Sequence, residues 1–235
     1  SKSTYGTGCF VMTHTGPTVR YSKKNLLATI AYRIDGQTSY ALEGSIFVAG
    51  QAVKWLRDQL GLIEQAADTQ AAYERTGGDA QGVYVVPSFT GLGAPHWRPD
   101  ARGLITGMTL SADKDHIITA FLQSVVFQTE TLLRLMAEEG APVDTLRVDG
   151  GMVVNHALCQ FLSDILQVVV ERPLDIETTA KGAGVLAAIG CGVLKDLPDA
   201  ATHWRLDKRF ESDMAGAIRE KLLSGYEHAL QQALT

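Results

Sequence analysis

The sequence has few cysteines, no excess of basic residues and no long apolar run, and each shortage excludes a class of protein. Cys9, Cys159 and Cys191 lie far apart in apolar surroundings without a CxxC pair, so we expect reduced core thiols. The formal net charge of −5 argues against a nucleic-acid partner, because neutralising phosphates requires clustered Lys and Arg. No apolar stretch approaches the length of a membrane span, so we expect a cytoplasmic protein with no membrane partner.

Several enzyme signatures are also missing. There is no GxxxxGK[ST] phosphate loop, no GxGxxG fingerprint after a strand, and no HExxH or comparable metal-ligand spacing among the six histidines. The chain opens with Ser1 rather than Met, which we interpret as a piece of a longer protein. Its 235 residues, 46% of them hydrophobic, are nevertheless enough to bury a substantial core.

Apolar periodicity predicts a mixture of strands and helices. The first third is typical of an antiparallel meander, and from Gly44 onward helical spacing predicts a helix that ends at Gly61 with Gly50 in its middle. Glycine inside a helix costs about 1 kcal/mol relative to Ala. A neighbouring backbone or a ligand would explain Gly50 equally, whereas close packing of helix and sheet is the favoured explanation for Gly184. Three further helices are predicted at 113–139, 179–191 and 214–234.

The stretch Leu146–Asn155 is predicted to form a buried strand, a glycine turn and the start of a helix. Without side chains at Gly150 and Gly151, a ligand could approach backbone N–H groups at the positive end of that helix. The amide of Asn155, one turn into the helix, could both donate and accept hydrogen bonds. These features suit a nucleotide, although simple helix–sheet packing explains the spacing equally well.

Five glycine-bearing segments, taken together and in order, carry a resemblance to a known family. The chain resembles the C-terminal half of FGGY carbohydrate kinases up to about Trp204. That resemblance implies an α/β fold of the ribonuclease H-like, actin-like ATPase type, with a mixed sheet, helices on both faces, and ATP bound between two domains. The segments are Thr4–Phe10 (TYGTGCF), Tyr40–Gly44 (YALEG), Phe89–Pro95 (FTGLGAP), Gly103–Met108 (GLITGM) and Arg147–Gly151 (RVDGG).

The resemblance also implies roles for particular residues. Phe10 would lie against the carbon chain of a polyol substrate. Lys54 would face ATP at a position where we expect Gln in the family, and His156 stands where we expect Asn. The residues implied to bind the nucleotide are Thr7 and Gly8 near the β- and γ-phosphates, Gly50 and Lys54 beside it, and Gly150, Gly151 and Asn155 along the adenosine.

The activity implied is ATP-dependent phosphorylation of glycerol or a related polyol or sugar, with Mg²⁺ bridging the phosphates. The general base is expected upstream of Ser1, in an N-terminal domain that would be this chain's partner, so residues 1–235 contain no catalytic residue and are expected to be inactive alone. Asp149 is not a favoured substitute, because an Asp beside a turn usually bonds local backbone. Homo-oligomers are possible.

Three alternatives stay open: a family member acting on xylulose, ribulose or gluconate, an actin-like nucleotide switch, and a scaffold in which every glycine turn serves packing.

Overall fold

A seven-stranded mixed sheet forms the centre of the computed structural model, which describes residues 1–235. Its strand order is β3-β4-β2-β1-β7-β8-β9, while β5 and β6 form a separate two-stranded sheet. The nine strands are β1 (Lys2–Tyr5), β2 (Cys9–Gly16), β3 (Leu27–Ile34), β4 (Gln37–Ile46), β5 (Tyr84–Val86), β6 (Leu104–Thr106), β7 (Thr145–Asp149), β8 (Val169–Pro173) and β9 (Leu206–Phe210).

Seven α-helices surround the sheet. The longest, α3, is 25 residues long and begins with a capping box, in which the Asp113 side chain accepts from the backbone of His116. A short 3-10 turn, Gly151–Val154, separates β7 from α4. The helices are α1 (Gly50–Asp58), α2 (Asp68–Arg75), α3 (Lys114–Glu138), α4 (His156–Leu166), α5 (Thr178–Gly190), α6 (Leu197–Ala201) and α7 (Gly216–Leu234).

The N-terminal third differs from the predicted meander. β2 pairs with β4 rather than with β3, which lies at the edge of the sheet. β4 continues to Ile46, so the predicted helix from Gly44 is wrong at its start, and Gly50 is the first residue of α1 rather than its middle. Pairing with β2 decides the structure here, because strand partners override a local apolar period.

The main core lies on one face of the sheet, under α3 and α4. Alternation along the strands directs Tyr5, Val11, Leu146 and Val148 to this face, and all four are fully buried. Because this face is continuous across β2, β1 and β7, it fixes the relative positions of the loops that follow these strands.

The opposite face of the sheet carries α5 and α6. Arg147, which alternates with the buried residues of β7, lies over the ring of Trp204 at 4.2 Å. α5 contains no buried residue. A methyl group added at Gly182 or Gly184 would have nothing within 4 Å, so the predicted close packing at Gly184 is wrong within this chain.

Two of the three cysteines are core residues, as predicted, and the third is not. Cys9 and Cys159 are buried, and burial raises the pKa of each thiol to about 12. Cys191 is exposed at the end of α5, because that helix does not pack into the core. No helix combines the length and apolar composition needed to cross a membrane.

Candidate functional site

The candidate site is a half-open cavity of about 520 Å³ beside the ends of β1 and β7. It lies between the turn after β1, the first turns of α1, the segment leading into α2, and the 3-10 turn before α4. Five of the eight predicted site residues line it, namely Thr7, Gly50, Lys54, Gly151 and Asn155. Segments separated by more than a hundred residues in sequence therefore converge on one space.

The turn between β1 and β2 forms one wall of the cavity. Its backbone is held by α1, whose first residues donate to it: Gly50 N–H to the Gly6 carbonyl at 2.8 Å, and Ala49 and Gln51 N–H to the Thr7 carbonyl at 3.0 Å each. A Cβ at Gly50 would lie 2.6 Å from the Gly6 oxygen. The absence of a side chain at Gly50 thus permits close backbone contact, which is the first of its two predicted explanations.

Gly8 and Gly150 do not line the cavity, and the contacts they make are with protein backbone. A Cβ at Gly8 would lie 2.6 Å from the Ile46 carbonyl oxygen, and one at Gly150 would lie 2.5 Å from that of Tyr5. Gly150 also has φ of 91°, a conformation that L-residues rarely adopt. These two glycines shape the turns on which Thr7 and Gly151 are presented.

Gly151, in contrast, faces open space. A Cβ added there would have no atom within 4 Å, and its φ is not in the left-handed region. A glycine that neither packing nor backbone conformation requires is consistent with a ligand occupying that space.

Asn155 is the N-cap of α4. The predicted position, one turn inside the helix, is wrong. Its Oδ1 accepts from the Leu158 N–H at 3.0 Å, which caps the helix, and its Nδ2 donates to the Thr69 hydroxyl at 3.2 Å. The side chain therefore connects α4 to α2 across the cavity.

Residues from α2 and the segment before it were missed by sequence reasoning. Ala66, Ala67, Thr69 and Gln70 line the cavity, and the Gln70 side chain accepts from the His156 N–H at 3.0 Å. The polar, Ala-rich sequence of this segment is typical of a surface helix, so no local signal separates its cavity-facing residues from the others.

The charged residues that line the cavity are cations. Lys54 and Arg57 contribute from α1, and no Asp or Glu is among the lining residues. Arg57 pairs with Asp58 at 2.6 Å, whereas Lys54 has no carboxylate within ion-pair distance. A cavity of this charge favours a ligand that carries negative charge.

Two further residues of interest lie outside the cavity. Phe10 is 49% exposed on the face of the sheet opposite the main core, since its neighbours Cys9 and Val11 point into the core. Asp149 is buried and forms an ion pair with Lys2 at 2.8 Å, besides a hydrogen bond from Thr178. The expectation that Asp149 bonds local backbone is wrong, because its partners come from β1 and α5.

Comparison with known proteins assigns the family. The sequence profile of the FGGY family of carbohydrate kinases, C-terminal domain, matches residues 2–191. This chain belongs to the FGGY family of carbohydrate kinases. The predicted resemblance is thereby confirmed.

Curated relatives extend the similarity beyond that profile. Glycerol kinase 1 of Pseudomonas aeruginosa is 52% identical over 98% of this chain, and glycerol kinase of Gluconobacter oxydans is 50% identical over all of it. The alignment with the Gluconobacter oxydans protein extends past Trp204, where the predicted resemblance ends, to the end of the chain. The chain spans about half the length of these relatives, 47% and 46% respectively.

Solved structures confirm the predicted fold class of an FGGY kinase. Plasmodium falciparum glycerol kinase, crystallised with ADP, superposes on all of this chain with a TM-score of 0.89 at 37% identity, and the match covers 47% of that protein. Xylulose kinase from Lactobacillus acidophilus superposes on 99% of this chain with a TM-score of 0.85 at 20% identity, which is a likeness of fold alone.

Proposed function

We propose that this chain is the nucleotide-binding half of an ATP-dependent kinase whose substrate is glycerol. The observation that carries the proposal is the convergence of Thr7, Gly50, Lys54, Gly151 and Asn155 on one cavity with cationic walls. The relatives at 47–52% identity support glycerol rather than xylulose or gluconate, since they are glycerol kinases.

In this proposal each wall of the cavity contacts a different part of the nucleotide. The Thr7 hydroxyl and the unpaired ammonium of Lys54 suit phosphate oxygens, because donors and cations stabilise the charge that develops during phosphoryl transfer. Gly151 and Asn155 suit the adenosine, with Val53, Met152 and the segment before α2 supplying apolar surface. Gly8 and Gly150 serve these contacts indirectly, through the shape of the two turns.

Phe10 is proposed to contact the carbon chain of the polyol. Its exposed ring lies on β2, next to the turn that carries Thr7, and presents an aromatic face. The remaining polyol contacts and the general base are assigned to the N-terminal half found in the longer relatives, which would be this chain's partner.

We assign no residue of this chain to Mg²⁺. No group of three His, Cys, Asp or Glu side chains lies close enough to bind a metal, and Asp149 pairs with Lys2 through Oδ2 while its buried Oδ1 has no partner. We propose that the ion binds with the phosphates of the nucleotide, and we assign it no step on residues 1–235.

The proposal is tested by titrating ADP into the purified chain in a calorimeter. Gly151→Leu should leave the fold intact, because its Cβ meets nothing within 4 Å, while the new side chain fills the cavity and abolishes ADP binding. Gly182→Leu is the matched control, since its Cβ is equally free but lies in α5, away from the cavity. Undiminished ADP binding by Gly151→Leu would refute the site.

A second test separates binding from turnover. In a coupled assay with ATP and glycerol, the chain alone should show no phosphorylation, and activity should appear only when an N-terminal half is present. Turnover by residues 1–235 at the rate of an intact relative would contradict the assignment of the general base to the other half.

A further inference from the structure

One buried arginine donates hydrogen bonds to the backbone of the 3-10 turn that presents Gly151 to the cavity. Arg172, on β8, is only 7% exposed, and its Nη1 donates to the Val153 carbonyl at 2.8 Å and to the Val154 carbonyl at 3.4 Å. These carbonyls belong to the last two residues of the turn, immediately before Asn155.

The rest of the guanidinium is held in place by a second set of contacts. Nε and Nη2 bind the Asp207 carboxylate at 2.7 and 2.6 Å, and Nη2 lies 3.4 Å from Nε2 of His156, the first residue of α4. The ring of Phe210 lies 5.7 Å from the guanidinium carbon. Asp207 thus neutralises the charge and fixes the plane of the side chain.

This arrangement requires an arginine. Burial of a cation is costly unless it is paired and fully hydrogen-bonded, and only the planar guanidinium can bind a carboxylate with two nitrogens while a third donates to backbone carbonyls. A lysine would keep the charge but could not hold Asp207 and the turn in the same geometry.

We propose that Arg172 is a positioning residue for the nucleotide: by fixing the carbonyls of Val153 and Val154, it sets the turn that carries Gly151 and the position of Asn155. The inference rests on the proposed function, because it assigns those two residues to adenosine. Arg172 itself does not line the cavity, so its effect on nucleotide binding passes through the backbone of the turn.

The test combines hydrogen exchange of the ligand-free chain with ADP titration. In Arg172→Met, the amides of residues 151–155 should exchange roughly tenfold faster and the Kd for ADP should rise roughly tenfold, as expected for losing hydrogen bonds to a charged group. Arg172→Lys should give a smaller change of both quantities. Arg209→Met is the matched control, an exposed β9 arginine paired with Glu171 and Glu211, and should leave both unchanged.

A purely structural role would have a different signature. General loss of stability would raise exchange throughout, including in β7, whereas positioning raises it in the turn alone. Faster exchange in the turn with an unchanged Kd for ADP would overturn the proposal. Unchanged exchange rates of the amides in the turn would overturn it as well. If Arg172→Met does not fold, the test relies on Arg172→Lys. Wild-type values of both the exchange rates in the turn and the Kd for ADP in that variant would overturn the proposal.

Failure of the proposed function is distinguishable from these results. A wild-type chain that binds no ADP refutes the nucleotide assignment and with it the effect of Arg172 on binding, while the exchange rates still report whether Arg172 fastens the turn.

Discussion

At the scale of single residues, Asn155 combines a structural and a proposed ligand-binding role in one amide. Its Oδ1 caps α4 and its Nδ2 reaches Thr69 on α2. Asn155→Ala should lower the free energy of unfolding by about 1 kcal/mol, the usual cost of a lost N-cap, and should weaken ADP binding. Asn155→Ser keeps a capping oxygen and should recover most of the stability in urea denaturation without recovering ADP affinity. Recovery of both would contradict a direct contact with nucleotide.

His156, the first residue of α4, makes the stability of the fold depend on pH. Desolvation first, then the charges of Arg172 and Lys208, lower the pKa of this ring, while Asp207 and Glu74 oppose the shift. The ordinary value is 6.5, so as pH falls past it the unfolded chain takes up the proton before the folded one does, and stability is lost in that window.

The expected result is that the free energy of unfolding falls as the pH is lowered below 6.5, because a protonated His156 adds a third cation beside Arg172 and Lys208 in the folded chain. His156→Gln should flatten this dependence when urea denaturation is repeated across that pH range. His228→Gln, an exposed histidine on α7, is the control. An identical pH profile for wild type and His156→Gln would exclude the ring as its source.

Residue identities at the site were predictable where a glycine or amide follows a strand, and unpredictable where tertiary contacts decide. Thr7, Gly151 and Asn155 follow β1 and β7, whose carboxyl ends meet because the strands are parallel neighbours. Nothing local distinguishes Gly8, which meets the Ile46 carbonyl, from a glycine that faces a ligand. The role of Arg172 likewise cannot be predicted from the sequence, since its partners lie in the turn and in β9.

At the scale of elements, α7 packs against β5, and a glycine of α7 lies directly beside the ring of Tyr84. A Cβ at Gly225 would overlap the hydroxyl of Tyr84, whose ring is 6.3 Å from that of Phe127. Gly225→Ala should therefore destabilise the chain by roughly 1–3 kcal/mol, the usual cost of overpacking. Urea denaturation measures this, with Gly216→Ala as control because its Cβ is free.

The double variant Tyr84→Ala with Gly225→Ala tests whether the contact with Tyr84 causes the destabilisation by Gly225→Ala. Tyr84→Ala removes the obstructing ring, so Gly225→Ala should cost less in that background than alone, with a coupling energy in the double-mutant cycle. Additive costs would show that Gly225 matters for another reason, such as helix geometry.

Elements were predictable where one face of a long segment is apolar, as in α3 and α7, and their boundaries agree with the prediction within a few residues. α6 and β9 were not predicted. β9 has a single buried residue, Phe210, at its end, so its sequence carries no alternation, and its position comes from pairing with β8.

At the scale of the whole molecule, the two faces of the sheet are unequal. One face holds a core of 34 buried residues, whereas α5 on the other face consists mostly of Ala and Gly, with one Val, one Leu and one Ile, and has no buried residue. The relatives are about twice as long as this chain. Exposed apolar surface on an ordered helix is typical of an interface, and we propose that α5 packs against the N-terminal half.

Leu186 on α5 and Ile218 on α7 allow this to be tested, since their side chains are 41% and 54% exposed. Leu186→Glu should leave the urea midpoint of this chain nearly unchanged, because little packing is lost, but should prevent co-migration with an N-terminal half in size-exclusion chromatography. Ile218→Glu should affect neither measurement. If Leu186→Glu instead lowers the stability of the chain alone by several kcal/mol, α5 packs onto this chain's own sheet and is not the interface.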